Sequence, residues 1–150
     1  MPENETTSDE LNIGLLMFIP YRAMENRVIE ALRKGGFDDI TTAQMKVAGR
    51  IGHTGTRLTE LAEQAQVTKQ TAGFLVDQLE KAGFVERRPD PEDGRARLVC
   101  IAERGREAVA IAAAAAAEVE AEWTRHLGER RMAQLRQTLT KLREITDPYA

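Results

Sequence analysis

Leu58-Thr59-Glu60-Leu61-Ala62, then Thr68-Lys69-Gln70-Thr71, then Val76-Asp77-Gln78-Leu79-Glu80-Lys81-Ala82-Gly83-Phe84-Val85-Glu86-Arg87 are the segments that decide the fold of this 150-residue chain. Residues 59–64 read as a short helix with Leu58, Leu61 and Ala62 as its apolar stripe. Ala65, Gln66 and Val67 make a tight connection, and Thr68 suits the N-cap of a longer helix that turns Ala72, Leu75, Val76 and Leu79 inward. Gly83 closes that helix, and the hydrophobic period then changes. Residues 84–88 and 96–101 read as short strands around Pro89-Asp90-Pro91-Glu92-Asp93-Gly94-Arg95, where Asp93-Gly94 is a hairpin signal. Two helices on a tight turn, followed by a hairpin that packs back, make a winged helix-turn-helix.

The flanks are helical. Ile13, Leu16, Met17, Met24, Val28, Ile29 and Leu32 recur at helical spacing, with Pro20 either kinking the run or opening a second segment, and Gly35-Gly36 ending it. Thr41 and Gln44 have capping-box spacing, ahead of a helix carrying Met45, Ala48 and Ile51 inward up to Gly52. After the hairpin, residues 108–122 include the run 112–117 of consecutive alanines, strong helix formers that also allow close helix approach. Gly128 breaks the chain, and 130–145 form a last helix with Met132, Leu135, Leu139 and Leu142 in register. The expected fold class is mainly α with a small β-hairpin wing. A winged helix-turn-helix lobe at 41–101 joins helical dimerisation segments at 11–34 and 105–145, and residues 1–10 read as a flexible tail.

Composition excludes several function classes. Cys100 is the only cysteine, and His53 and His126 are the only histidines, so no disulfide, Cys-rich zinc site or His-built metal cluster is expected, and no cofactor. No nucleophile–base pair or Gly-rich phosphate loop is present, which argues against an enzyme. No run approaches the roughly 20 apolar residues of a membrane helix, and the acidic amino end is no signal peptide, so the expected location is cytoplasmic, away from the membrane. A net charge of −3 excludes a wholesale polycation but not a local basic surface. With only 5% aromatic residues, an aromatic platform for single strands is not expected.

The candidate function follows from the longer helix. Its first turn holds Thr68, Lys69, Gln70 and Thr71, where a helix-turn-helix presents side chains to the major groove of double-stranded DNA. Hydroxyl and amide groups bond base edges, lysine reaches guanine or phosphate, and the positive end of the helix faces phosphate. Residues 57–97 hold seven basic and eight acidic side chains, so DNA binding requires most of the acids to point away.

Taken in order, together with Asp90-Pro91-Glu92-Asp93-Gly94-Arg95, these segments resemble the MarR family of bacterial transcriptional regulators, along nearly the whole chain. The resemblance implies a homodimer whose first and last helices intertwine. Two recognition helices would then enter successive major grooves of a pseudo-palindromic operator, as a repressor released by a small molecule. It implies that Arg95 at the wing tip reaches the minor groove, that Asp93 braces it, and that Arg88 and Arg97 neutralise phosphate. Phe74 and Gln78 complete the recognition helix, Phe74 standing where relatives often carry a basic residue. Ala102 replaces a usual threonine cap. A small anionic or aromatic effector would bind between the dimer helices and the lobe, walled by Met17, Tyr21, Met45 and Arg50. The alternative is a winged-helix module that binds a protein partner without specific DNA binding. Cys100 is expected to pack as a small apolar strand residue, His53 to lie in a loop, and His126 to pack with Trp123 near its helix end.

Overall fold

Asn12, whose side chain accepts the Leu15 N–H at 2.9 Å, caps α1 (Ile13–Lys34), and Arg33 and Lys34 sit at its negative end. The computed structural model describes residues 10–150; the tail expected at 1–10 lies, apart from Glu10, outside the described residues. Pro20 falls inside one helix rather than opening a second. The Thr41–Gln44 capping box is formed in full and starts α2 (Thr42–Ala48), which stops at Gly49, ahead of Ile51. Next come α3 (Leu58–Ala65) and α4 (Lys69–Lys81), joined through Gln66 at φ 57°, the one non-glycine residue with positive φ among those described.

The wing pairs β1 (Val85–Asp90) antiparallel with β2 (Asp93–Ile101), so both strands run longer than their hydrophobic pattern predicts. The tight turn is Pro91-Glu92, not Asp93-Gly94. Gly94 lacks the positive φ that a primed hairpin turn would demand. Pro89 pairs with Arg97 and Asp90 with Asp93, so Gly94, Arg95 and Ala96 are extra residues that bulge from β2.

The lobe's core joins Val47 of α2, Leu61 of α3, Leu75, Val76 and Leu79 of α4, and Phe84, Val85 and Val99 of the wing. Leu32, Phe37 and Ile40 extend it toward α1, and α5 (Glu103–Leu127) closes it through Ala108 and Ala115. Alanines on α5 let α1 lie close in an antiparallel pair. Arg27 Nη1 meets Glu122 Oε2 at 2.6 Å near one end, and Gly35 lies against Ile111 at the other. Gly105 must be glycine, since a Cβ there would come within 2.1 Å of the Phe84 carbonyl oxygen. As expected from Ala102, α5 starts without a side-chain cap.

The last helix, α6 (Glu129–Thr146), packs on α5 and buries no residue. Its carboxyl end reaches back to the lobe. Asp147 accepts from Arg143 Nε at 2.8 Å and from Arg50 Nη2 at 3.1 Å, and Tyr149 Oη donates to Glu63 of α3 at 2.7 Å. Chiefly the Arg143 hydrogen bond holds the Asp147 carboxyl down to about 2, and the Glu63 hydrogen bond pushes the Tyr149 phenol up to about 12.

Candidate nucleic-acid interface

α4 stands on its buried stripe, with Ala72, Val76 and Leu79 wholly inaccessible. At 100° per residue its opposite line is Gln70, Phe74, Asp77 and Lys81, all exposed. Its first turn is built as expected. Thr68 Oγ1 accepts the Thr71 N–H at 3.0 Å, and the two hydroxyl oxygens lie 2.9 Å apart. Thr68 is therefore engaged by the cap, and Lys69, Gln70 and the remaining capacity of the Thr71 hydroxyl are what this turn offers a ligand.

Gln78 departs from the expected site. It lies on the flank facing α2, half-buried, and its Oε1 accepts from Gln44 Nε2 at 3.0 Å. Helix rotation nearly three turns beyond the N-cap brings that side chain into the lobe, where it fastens α4 to α2.

Contacts invisible in the local sequence fasten the wing to α3. Thr56 and Val99 exchange backbone hydrogen bonds at 2.8 and 3.0 Å, adding a one-residue third strand. The neighbouring Arg57, in the N-cap position of α3, sends Nε and Nη2 to Asp90 Oδ2 at 3.0 and 2.8 Å. Asp90 is buried, and its other oxygen accepts the Glu92 N–H. That hydrogen bond first, then Arg57, keeps its carboxyl below the usual range. A charged residue bridging helix and hairpin sets the angle at which the wing leaves the lobe.

Asp93 braces Arg95, but through the backbone. Its Oδ1 accepts the Arg95 N–H at 3.1 Å, while Oδ2 faces Arg57 Nη2 at 3.8 Å rather than the Arg95 guanidinium. Arg95 and Arg97 are exposed, and among the described residues neither they nor Lys69 form an ion pair. Arg88 is paired with Glu86, next but one on the same strand, and so is partly neutralised. Arg87 is mostly buried between Asp77 at 2.8 Å and Glu80 at 2.9 Å and serves the lobe itself.

The even charge count of the lobe thus conceals an uneven distribution. Asp77, Glu80, Glu86 and Asp90 each face an arginine of the lobe, and Glu63 holds Tyr149. Among the described residues of the lobe, the lysines and arginines without an ion pair are Lys69 on the first turn of α4, Lys81 on its last turn, and Arg95 and Arg97 on the wing.

The four expected effector-wall residues do not share a wall. Met45 lines a crevice of about 440 Å³ between lobe and helices, with Val28, Leu32, Phe84, Ala108 and Ala112, and no charged group lines it. Met17 and Tyr21 instead line a groove of about 770 Å³ along α1, α5 and α6, with Phe18, Trp123, Leu135 and Leu139. Arg50 lines neither, its guanidinium being bound to Asp147. The separation arises because Met17 and Tyr21 sit several turns up α1 from Val28 and Leu32, which meet the lobe.

Cys100 is half-buried rather than packed away. It edges a third hollow, of about 520 Å³, shared with His53, Arg88 and Arg106. His126 and Trp123 both line the α1–α5–α6 groove.

Residues 52–96, which are α3, α4 and most of the wing, match the MarR family. Over 70 residues the chain is 33% identical to the uncharacterized HTH-type transcriptional regulator YfiV of Bacillus subtilis (strain 168), covering 46% of this chain. That match spans 44% of YfiV, less than half its length. A crystal structure of MarR superposes with a TM-score of 0.72 at 27% identity, over 89% of this chain and 96% of that one. The Mycobacterium tuberculosis MarR family protein Rv2887, solved in complex with salicylic acid, superposes with a TM-score of 0.65 at 25% identity, over 89% and 98%.

Proposed function

The chain belongs to the MarR family, and on that premise we propose that it is a DNA-binding transcriptional regulator, a binding protein rather than an enzyme, working on chromosomal DNA in the cytoplasm. The observation that carries this reading is the placement of free charge. Lys69 beside Gln70 on the exposed first turn of α4, and Arg95 and Arg97 on the wing, carry no carboxylate partner, whereas the lobe's other arginines do. Gln70 and Thr71 suit base edges in the major groove, and Arg95, raised on its bulge, suits the adjacent minor groove.

The finer reading is a homodimeric repressor on an inverted-repeat operator. Ile13, Phe18 and Tyr21 on α1, with Leu139 on α6, expose 67, 52, 50 and 43% of their surface, an apolar extent that a second subunit would cover. Symmetry would then present two α4 helices to one face of the duplex, about one helical turn apart. For release we propose a small aromatic molecule in the uncharged crevice at Met45.

Selection of bound duplexes from random DNA, followed by titration at several salt concentrations, tests the reading. The expected result is a symmetric inverted repeat whose affinity falls steeply with salt, as phosphate contacts require. Failure to retain any duplex at low salt would overturn it and favour a winged-helix module for a protein partner.

A further inference from the structure

Within the lobe, Phe74 is the one large hydrophobic side chain left exposed among the described residues, at 62%. It lies on the outermost line of α4, one turn after Gln70, and the polar Asp77 and Lys81 continue that line. It is not part of the apolar groove of α1, α5 and α6, so an occupant of that groove does not account for its exposure. Gly73 beside it has no side chain with which to cover the ring.

A phenyl ring has neither charge nor hydrogen-bonding group and so can do little for phosphate. Among the base edges of the major groove, one apolar group is on offer, the C5 methyl of thymine. From this placement, and resting on the DNA-binding reading above, we propose that Phe74 is a specificity residue that selects thymine by packing on its methyl group. One helical turn advances about 5.4 Å and one base step about 3.4 Å, which sets the selected thymine one or two base pairs from the base that Gln70 reads. Glutamine pairs best with adenine, so each half-site should hold an adenine with a thymine one or two steps away.

The test uses the full-length protein and the duplex recovered by selection. Each thymine is replaced in turn by deoxyuridine, which removes only the methyl group. Wild type should lose about fourfold in affinity per half-site at one position, the worth of one buried methyl. Phe74→Ala, whose exposed site leaves the thermal midpoint unchanged, should bind the thymine and uridine duplexes equally. Wild type insensitive to every replacement, or an alanine variant that keeps the discrimination, would overturn the inference while leaving DNA binding intact. Absence of binding to any duplex would instead remove the DNA-binding reading, and this inference with it.

Discussion

Helices α4 and α6 both carry apolar residues at helical spacing, and the chain treats them differently. The α4 stripe is sealed by α2, α3 and β1, with Ala72, Val76 and Leu79 at 0% exposure, whereas Leu135 and Leu139 of α6 remain 38 and 43% exposed. The pattern in the sequence says that a face must be covered. It does not say by which chain. In α4 the cover is local and leaves the opposite face free for a ligand. In α6 only α5 is at hand, and the uncovered side continues into the exposed face of α1.

Charge placed in each stripe should separate the two cases most sharply. Leu139→Asp is expected to abolish the proposed dimer, since a second subunit would have to bury the carboxylate. Sedimentation velocity should show a folded monomer, and an intact dimer would remove α6 from the interface. Truncation gives the next effect. Leu79→Ala should cost about 2–5 kcal/mol through the cavity it leaves. That loss should be independent of protein concentration in thermal melts, whereas the loss for Leu139→Ala should depend on it, as association requires. Equal concentration dependence for both would erase the distinction drawn between the stripes.

A smaller effect tests the free face rather than the buried one. Arg95→Ala should weaken operator binding by about 1–3 kcal/mol at fixed salt and leave the oligomeric state unchanged. An unchanged dissociation constant would exclude the wing from recognition. The smallest effect concerns the point where α6 touches the lobe. The Asp147 carboxyl is held at about 2 against an ordinary 3.8. Its stabilising contribution is therefore complete above about 3.8 and is lost as pH falls through about 2. The difference in thermal midpoint between wild type and Asp147→Asn should shrink over that interval, and a difference constant with pH would show that Asp147 is not held as an anion by Arg143 and Arg50.

Much of the lobe was legible because its signals are local. The Thr41–Gln44 box and the Thr68 cap each close within three residues, and the α4 stripe repeats every turn. What escaped was held by partners distant in sequence. Gln78 looks like a recognition residue until Gln44, 34 positions earlier, takes its side-chain oxygen. Arg57 reads as one more lobe cation, yet Asp90, 33 positions on, makes it the wing's anchor. Arg50 reads as an effector contact, yet Asp147, 97 positions away, holds it instead. The hairpin turn departs from its local signal for a related reason. Asp93-Gly94 is a strong local signal, but pairing Asp90 with Asp93 moves the turn to Pro91-Glu92 and lifts Arg95 on a bulge.

The order and kind of the elements thus followed from the chain alone, since helix period, caps and turn residues act over a few neighbours whose spacing is covalent. Which cations stand free followed from the folded arrangement, because an ion pair depends on the distance between segments and not on their place in the chain. Seven basic and eight acidic residues between 57 and 97 give no hint of a DNA-facing side. The side proposed for DNA rests on packing, which sets Arg57, Arg87 and Arg88 against carboxylates and leaves Lys69, Lys81, Arg95 and Arg97 in solvent.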